Sequence, residues 1–221
     1  MTVDSVSFSE PHYSIHYRCD DFLIVNKAPG LLSVPGKGEH LFDSLLTRLQ
    51  VVEPSIKLVH RLDRDTSGLM VFALNPEAQR NISKQFEDRL TTKIYQAIVL
   101  GKLVGEGSID VPVRYEPLTP PLHVADRLYP KVALTHWQAQ DNYEINDRAV
   151  TKMLLKPITG RSHQLRVHTQ YIGHAIIGDQ LYSTEMGQAL SNRLYLHAAE
   201  LGFNHPVTGE RVNFNLDADF W

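Results

Sequence analysis

The stretch His60-Arg61-Leu62-Asp63-Arg64-Asp65-Thr66-Ser67-Gly68 crowds ionisable and hydroxyl side chains into one short segment between apolar runs, a density that packing does not require. Asp63 is the group in it best suited to covalent chemistry. A carboxylate is ionised at neutral pH and can form a covalent intermediate that divides a hard step in two, without a cofactor. Taken alone, the segment reads equally as an Asp-Arg surface network with a capping Thr-Ser pair. Ser67 is a poor nucleophile candidate, because no Gly-x-Ser-x-Gly elbow surrounds it. Gly68 would permit a turn that a side chain would obstruct. A second concentration of functional groups runs from Lys156 to His168 and includes Arg161, His163 and Arg166. His163 and His168 are five residues apart, which on a helix separates them by about 140°, so they do not form a same-face metal-binding pair. No metal site is expected.

These groups need a scaffold, and the apolar patterning supplies one. Tyr13 to Tyr17 and Phe22 to Val25 read as a strand pair around Asp20-Asp21. Two Pro-Gly pairs make residues 28 to 38 a shaped loop. Asp43 is placed to cap a short helix carrying Leu45, Leu46 and Leu49. Leu69 to Leu74 suits a buried strand, and Asn75-Pro76 then caps a helix reaching about Arg89. In that helix Ala78, Ile82, Phe86 and Leu90 form the apolar stripe, while Lys84, Gln85 and Asp88 are expected to face water. Ile94 to Leu100 is the next strand. The proline-rich stretch Glu116 to Pro130 is assigned no regular structure and reads as a mobile loop. Strands resume at Val132 to Ala139 and Ala149 to Leu155. A helix follows from Arg161 to Ile172, stopped by Gly173, and a hairpin of Tyr195 to Phe203 with Arg211 to Leu216 ends the chain. Strands outnumber helices, and helices separate only some of them. The pattern is therefore α+β, with a large mixed, mostly antiparallel sheet flanked by helices and loops, rather than a strict βαβ alternation.

A chain of 221 residues with 43% hydrophobic and 21% charged residues supports a packed core without staples, and no linker divides it, so one domain over residues 1–221 is expected. Cys19 is the single cysteine and can form no internal disulfide. The longest apolar run is far too short to span a bilayer, and the chain is read as a cytoplasmic protein without a membrane partner. A net charge of -3 argues mildly against nucleic acid, but its distribution argues the other way. From Arg148 to Gly178 there are five basic residues, three histidines and no acid. A local basic face is compatible with the acidic average.

The string His60-Arg61-Leu62-Asp63-x-x-Thr66-Ser67-Gly68 resembles the signature of the RluA family of pseudouridine synthases. Lys93-Ile94-Tyr95-Gln96-Ala97 resembles the family's middle motif, and the block from Lys156 to His168 its later one. The three stand in the family's order, and the likeness runs from about Phe22 to about Phe214. The resemblance implies the pseudouridine synthase fold, structured RNA as partner and no cofactor. It implies Asp63 as the nucleophile, Arg166 as the cation paired with it, and Tyr95 as the tyrosine packed against the target base. Arg61 corresponds to the residue that fills the space left by a flipped uridine, a role that suits a planar guanidinium. His60, Lys27, Arg161 and His163 are further substrate-side candidates.

Two features depart from the family pattern. Lys27-Ala28-Pro29-Gly30 has its proline one place later than usual, and Pro130-Lys131 stands where Gly-Lys is common. About twenty residues precede the first motif, so an N-terminal S4-type domain is not expected. The compact form is similar to family members acting on both large-subunit ribosomal RNA and the tRNA anticodon stem-loop. Enzymes restricted to one of these RNAs, and a non-catalytic RNA-binding or RNA-folding module, are the competing readings. A monomer without an obligate protein partner is expected.

Overall fold

The computed structural model describes residues 12–221. In chain order the elements are β1 (Tyr13–Arg18), β2 (Phe22–Lys27), α1 (Leu45–Val52), β3 (Lys57–Leu58), β4 (Ser67–Ala73), α2 (Pro76–Glu87), β5 (Thr92–Leu100), β6 (Glu106–Asp110), β7 (Val113–Tyr115), β8 (His123–Ala125), β9 (Leu134–Ile145), β10 (Arg148–Pro157), α3 (Gln164–Tyr171), α4 (Glu185–Ala189), β11 (Leu196–Asn204) and β12 (Arg211–Asn215). Ten strands form one sheet ordered β1-β2-β4-β11-β5-β10-β9-β6, with β3 added to β4 and β12 to β11. Every pairing is antiparallel except β4 with β11. The fold is thus α+β with a mixed sheet, as the patterning predicts.

The single parallel pairing builds the site. Gly68 aligns with Ala198, Ala198 with Tyr95, and Tyr95 with Leu155. One row across four strands therefore carries the end of the Asp63 loop to within one strand of Tyr95, although 26 residues of chain, including α2, separate Gly68 from Tyr95. Gly68 is at φ +113, and a Cβ there would lie 2.5 Å from the Ala198 amide nitrogen. The glycine serves close strand approach inside β4, rather than the turn that the sequence suggests.

β4 is buried along its whole length because both sheet faces are covered. Met70 and Phe72 pack with Leu23, Val25, Leu45 and Leu49 on the α1 side. Leu69, Val71 and Ala73 pack with Phe22, Ile24, Ala78, Ile82 and Phe203 on the α2 side. Strand alternation thus divides one apolar run between two cores. Asn75 caps α2 by accepting from the Ala78 amide, and Pro76 occupies the first turn.

Four local expectations are corrected. Ser44, not Asp43, caps α1, in a reciprocal box with Thr47, because Asp43 is engaged by the buried Arg48 at 2.7 and 2.6 Å. Gln85 does not face water. Its side chain pairs in both directions with the Asn204 backbone, at 2.8 and 2.7 Å, and closes the end of β11. Leu90 lies beyond the helix and is exposed, so the α2 stripe ends at Phe86. The proline-rich stretch is not devoid of regular structure, since β8 within it pairs with β7. Arg114 ties this ribbon together through Asp126 at 2.7 Å and Glu116 at 2.9 Å.

No helix among the described residues is long and apolar enough to cross a membrane.

Candidate active site

Asp63 lies in the loop before β4, and that loop is clamped from beneath by the Pro-Gly segment. Ser33 donates to the Leu62 carbonyl at 2.7 Å and accepts from the Leu62 amide at 3.1 Å. Lys27 is fully buried and donates to the carbonyls of Ala28, Leu31 and Arg64 at 2.8 to 2.9 Å. Gly30 reaches the same Arg64 carbonyl through its amide at 2.9 Å. Lys27 is thereby corrected from a substrate-side group to a buried strut, since all three ammonium protons are used inside the protein. Burial lowers its pKa to about 7, with Asp65 and Asp63 opposing the shift.

The Asp63 side chain is 22% exposed, and its Oδ2 stands 3.9 Å from Arg166 Nη1. Arg166 is 3% exposed, on α3. Its principal partner is Asp179, which accepts from Nε at 2.7 Å and from Nη2 at 2.6 Å. Asp179 is fully buried and also accepts from the Leu181 and Tyr182 amides. Burial opposes the charge on Arg166, but the Asp179 bonds and the Asp63 carboxylate outweigh it, and the guanidinium pKa is raised. The Arg166 group also lies 5.0 Å from the centre of the Tyr182 ring.

α3 begins at Gln164 rather than Arg161, because His163 takes a left-handed conformation at φ +55. The Gln164 side chain closes the preceding loop by accepting from the Arg161 amide at 3.0 Å and the Thr159 hydroxyl at 2.8 Å. His163 shares a 2.6 Å hydrogen bond with the Tyr182 hydroxyl, and burial lowers its pKa. His168 points elsewhere, buried between Thr135 and the Val111 carbonyl.

Arg61, Asp63, Tyr95, Arg161, His163 and Arg166 meet in one pocket of about 160 Å³. Tyr95 is half-buried on β5, and burial, reinforced by the Asp63 carboxylate, raises the pKa of its phenol. His60 is brought near but not in. Its ring stacks on Phe86 at 4.5 Å, and Nε2 accepts the Val71 amide at 3.1 Å, so that nitrogen is committed to the strand while the residue lines the groove beside the pocket. Burial lowers the His60 pKa to about 3.

Sequence reasoning passed over Lys93, Thr66 and Leu196, which line the pocket, and Asp179 and Tyr182, which support it. Lys93 stands inside the quoted middle motif. Asp179 is the first acid after the basic run that ends at Gly178, a signal available in principle.

The chain and its fold have known counterparts. The family described as RNA pseudouridylate synthase matches residues 21–171. The chain is 44% identical over 215 residues to the dual-specificity RNA pseudouridine synthase RluA of Vibrio parahaemolyticus, covering 96% of this chain and 86% of the relative. It is 42% identical over 216 residues to the protein of that name from Escherichia coli K12, covering 96% and 95%. Human RNA pseudouridylate synthase domain containing 1 superposes with a TM-score of 0.82 at 30% identity, over 96% of this chain and 88% of the human one. A family match over residues 21–171, with relatives 42–44% identical over 96% of the chain, identifies this protein as a member of the RNA pseudouridylate synthase family, isomerases that act on RNA.

Proposed function

We propose that Asp63 is the nucleophile with which this enzyme isomerises uridine in structured RNA. The observation that carries this is the partly exposed carboxylate in a pocket too small for a duplex, beside Tyr95 and 3.9 Å from Arg166. A uridine must leave its stack to enter. Asp63 forms a transient adduct as the N1–C1′ bond breaks. The uracil then turns, C5 bonds to C1′, the bond to Asp63 breaks and returns the free carboxylate, the C5 proton is released and N1 gains one. No oxidant and no water are consumed. Arg166 holds the carboxylate oriented and stabilises its negative charge, Tyr95 packs on the base, and Arg61 fills the vacated stack. Arg161 and His163 contact the nucleotide.

The motif resemblance implies uridines in large-subunit ribosomal RNA and in the tRNA anticodon stem-loop as the substrates, and the relatives' designation as dual-specificity RNA enzymes supports two RNA targets. The protein works as a single catalytic domain, monomeric and cytoplasmic, with no protein partner required. The continuity of one ten-stranded sheet supports the single domain. Tritium release from RNA labelled at uracil C5 tests the activity, with Asp63→Asn as control. Binding without release from any cellular RNA would make the protein an RNA-binding module instead. Mapping modified sites in a deletion strain separates dual from single specificity.

A further inference from the structure

Lys93 and Tyr95 are two residues apart on β5, so they face the same side of the sheet. Both line the Asp63 pocket, and both line an adjoining groove of about 540 Å³. Arg61, Arg89 and Arg161 line that groove too. Arg161 is tied back to the Val132 carbonyl at 3.1 Å. Among the described residues, the side chains of Arg61, Arg89 and Lys93 have no hydrogen-bonding or ion-pairing partner. The one acid on the groove wall, Glu87, is an exposed side chain directed to Lys84 at 3.5 Å.

Lys93 is the anomaly in this set. It is half-buried, and burial and the Arg89 charge both push its pKa down, with no carboxylate opposing them. Lys27 shows the other solution, a buried ammonium saturated by three carbonyls. A desolvated, unpaired cation is costly in the free protein and is relieved when an anion arrives. The groove adjoins the Asp63 pocket, and its wall carries four cations against the single acid Glu87.

We propose that this groove is a phosphodiester subsite, in which Lys93 grips the phosphate flanking the target uridine while the base enters the pocket beside Asp63. This rests on the function proposed above. Lys93 is here a positioning residue for substrate, and Arg89 and Arg161 extend the same positive track along the strand.

The test uses a stem-loop RNA carrying the target uridine, and two copies in which the 5′ or the 3′ phosphate of that uridine is a neutral methylphosphonate. With native RNA, Lys93→Met is expected to raise KM by about tenfold to a hundredfold, the loss of one charged hydrogen bond, with kcat nearly unchanged. Lys93→Arg should restore most of the loss. The penalty should vanish on one of the two methylphosphonates, which identifies the phosphate. Because Met relieves a buried charge, the melting temperature should hold or rise, whereas a structural lysine would lower it. If it falls, Arg89→Ala at an exposed position carries the same comparison. An equal penalty on all three RNAs, or an effect on kcat alone, overturns the subsite. If wild type releases no tritium, the activity fails separately, and RNA binding against salt still decides. The slope of log K against log salt should be shallower for Lys93→Met by about 0.7 to 0.9, and equal slopes overturn the proposal.

Discussion

Arg166 spends two of its guanidinium nitrogens on the buried Asp179, at 2.7 and 2.6 Å, and turns the third toward Asp63 at 3.9 Å. The Asp63 carboxylate therefore meets a cation whose direction is fixed by a different acid. A guanidinium held in a fork has one free edge, and here that edge lines the pocket. Asp179→Asn should lower kcat by about tenfold to a hundredfold through misplacement of Arg166. It should also cost about 3–5 kcal/mol of stability, because Arg166 would be left buried with an incomplete partner. Urea unfolding together with tritium-release kinetics checks both. Full activity at normal stability would show that Arg166 is oriented by other contacts.

Asp63→Asn separates chemistry from folding. Tritium release should fall on the order of 10⁴-fold or more, as expected on removing a nucleophile. Stability should move by less than about 1 kcal/mol, since the carboxylate is partly exposed and makes no close hydrogen bond to Arg166. Retained RNA binding with a normal melting curve is the anticipated result. Residual activity within tenfold of wild type would remove Asp63 from the role given to it.

The Tyr95 phenol is held protonated by burial and by the nearby Asp63 carboxylate. A kcat profile limited by this group should show no Tyr95 ionisation below pH 10. A descending limb centred below pH 9 that disappears in Tyr95→Phe would contradict that environment.

His60 carries a pH dependence of stability. Its folded pKa is lowered to about 3 against an ordinary value near 6.5, so the unfolded chain takes up the proton first. Its contribution is complete above about pH 6.5 and is lost as pH falls toward 3. The hydrogen bond from Val71 to Nε2 requires the same unprotonated nitrogen. His60→Gln keeps an acceptor but removes the titration. The slope of unfolding free energy between about pH 6 and 4 should then fall by up to about 1.4 kcal/mol per pH unit, one proton's worth. His197, lowered to about 4, titrates in the same window and leaves a residual slope. An unchanged slope in His60→Gln would refute the assignment.

Gly68→Ala tests the strand crossing that builds the site. A Cβ would collide with the Ala198 backbone at a φ that side chains rarely adopt, so a loss above about 3 kcal/mol is expected in denaturant unfolding. Gly209→Ala is the control. It shares a positive φ of +74 but meets nothing within 4 Å, and should cost only about 1 kcal/mol.

Much of this protein is local information. The alternation and apolar runs of β2, β4 and β5, the Asn75-Pro76 start of α2 and the stop at Gly173 follow from side-chain periodicity and backbone preference over a few residues, and the structure keeps them. Asp63, Tyr95 and Arg166 were legible for a different reason, since each sits in a short motif whose resemblance to a known family points to the chemistry. What the sequence could not determine is pairwise. The parallel register of β4 on β11 places the Asp63 loop against Tyr95, and nothing local encodes which strands become neighbours. The same limit explains Lys27 and Gln85, polar residues read as surface groups that tertiary packing buried and supplied with backbone partners. It also explains Arg166, whose nearest acid is Asp179 rather than Asp63. Residue type fixes which groups can bear charge, but only the packed chain decides which of them meet, because ion pairs and hydrogen bonds depend on distances that strand order and burial impose.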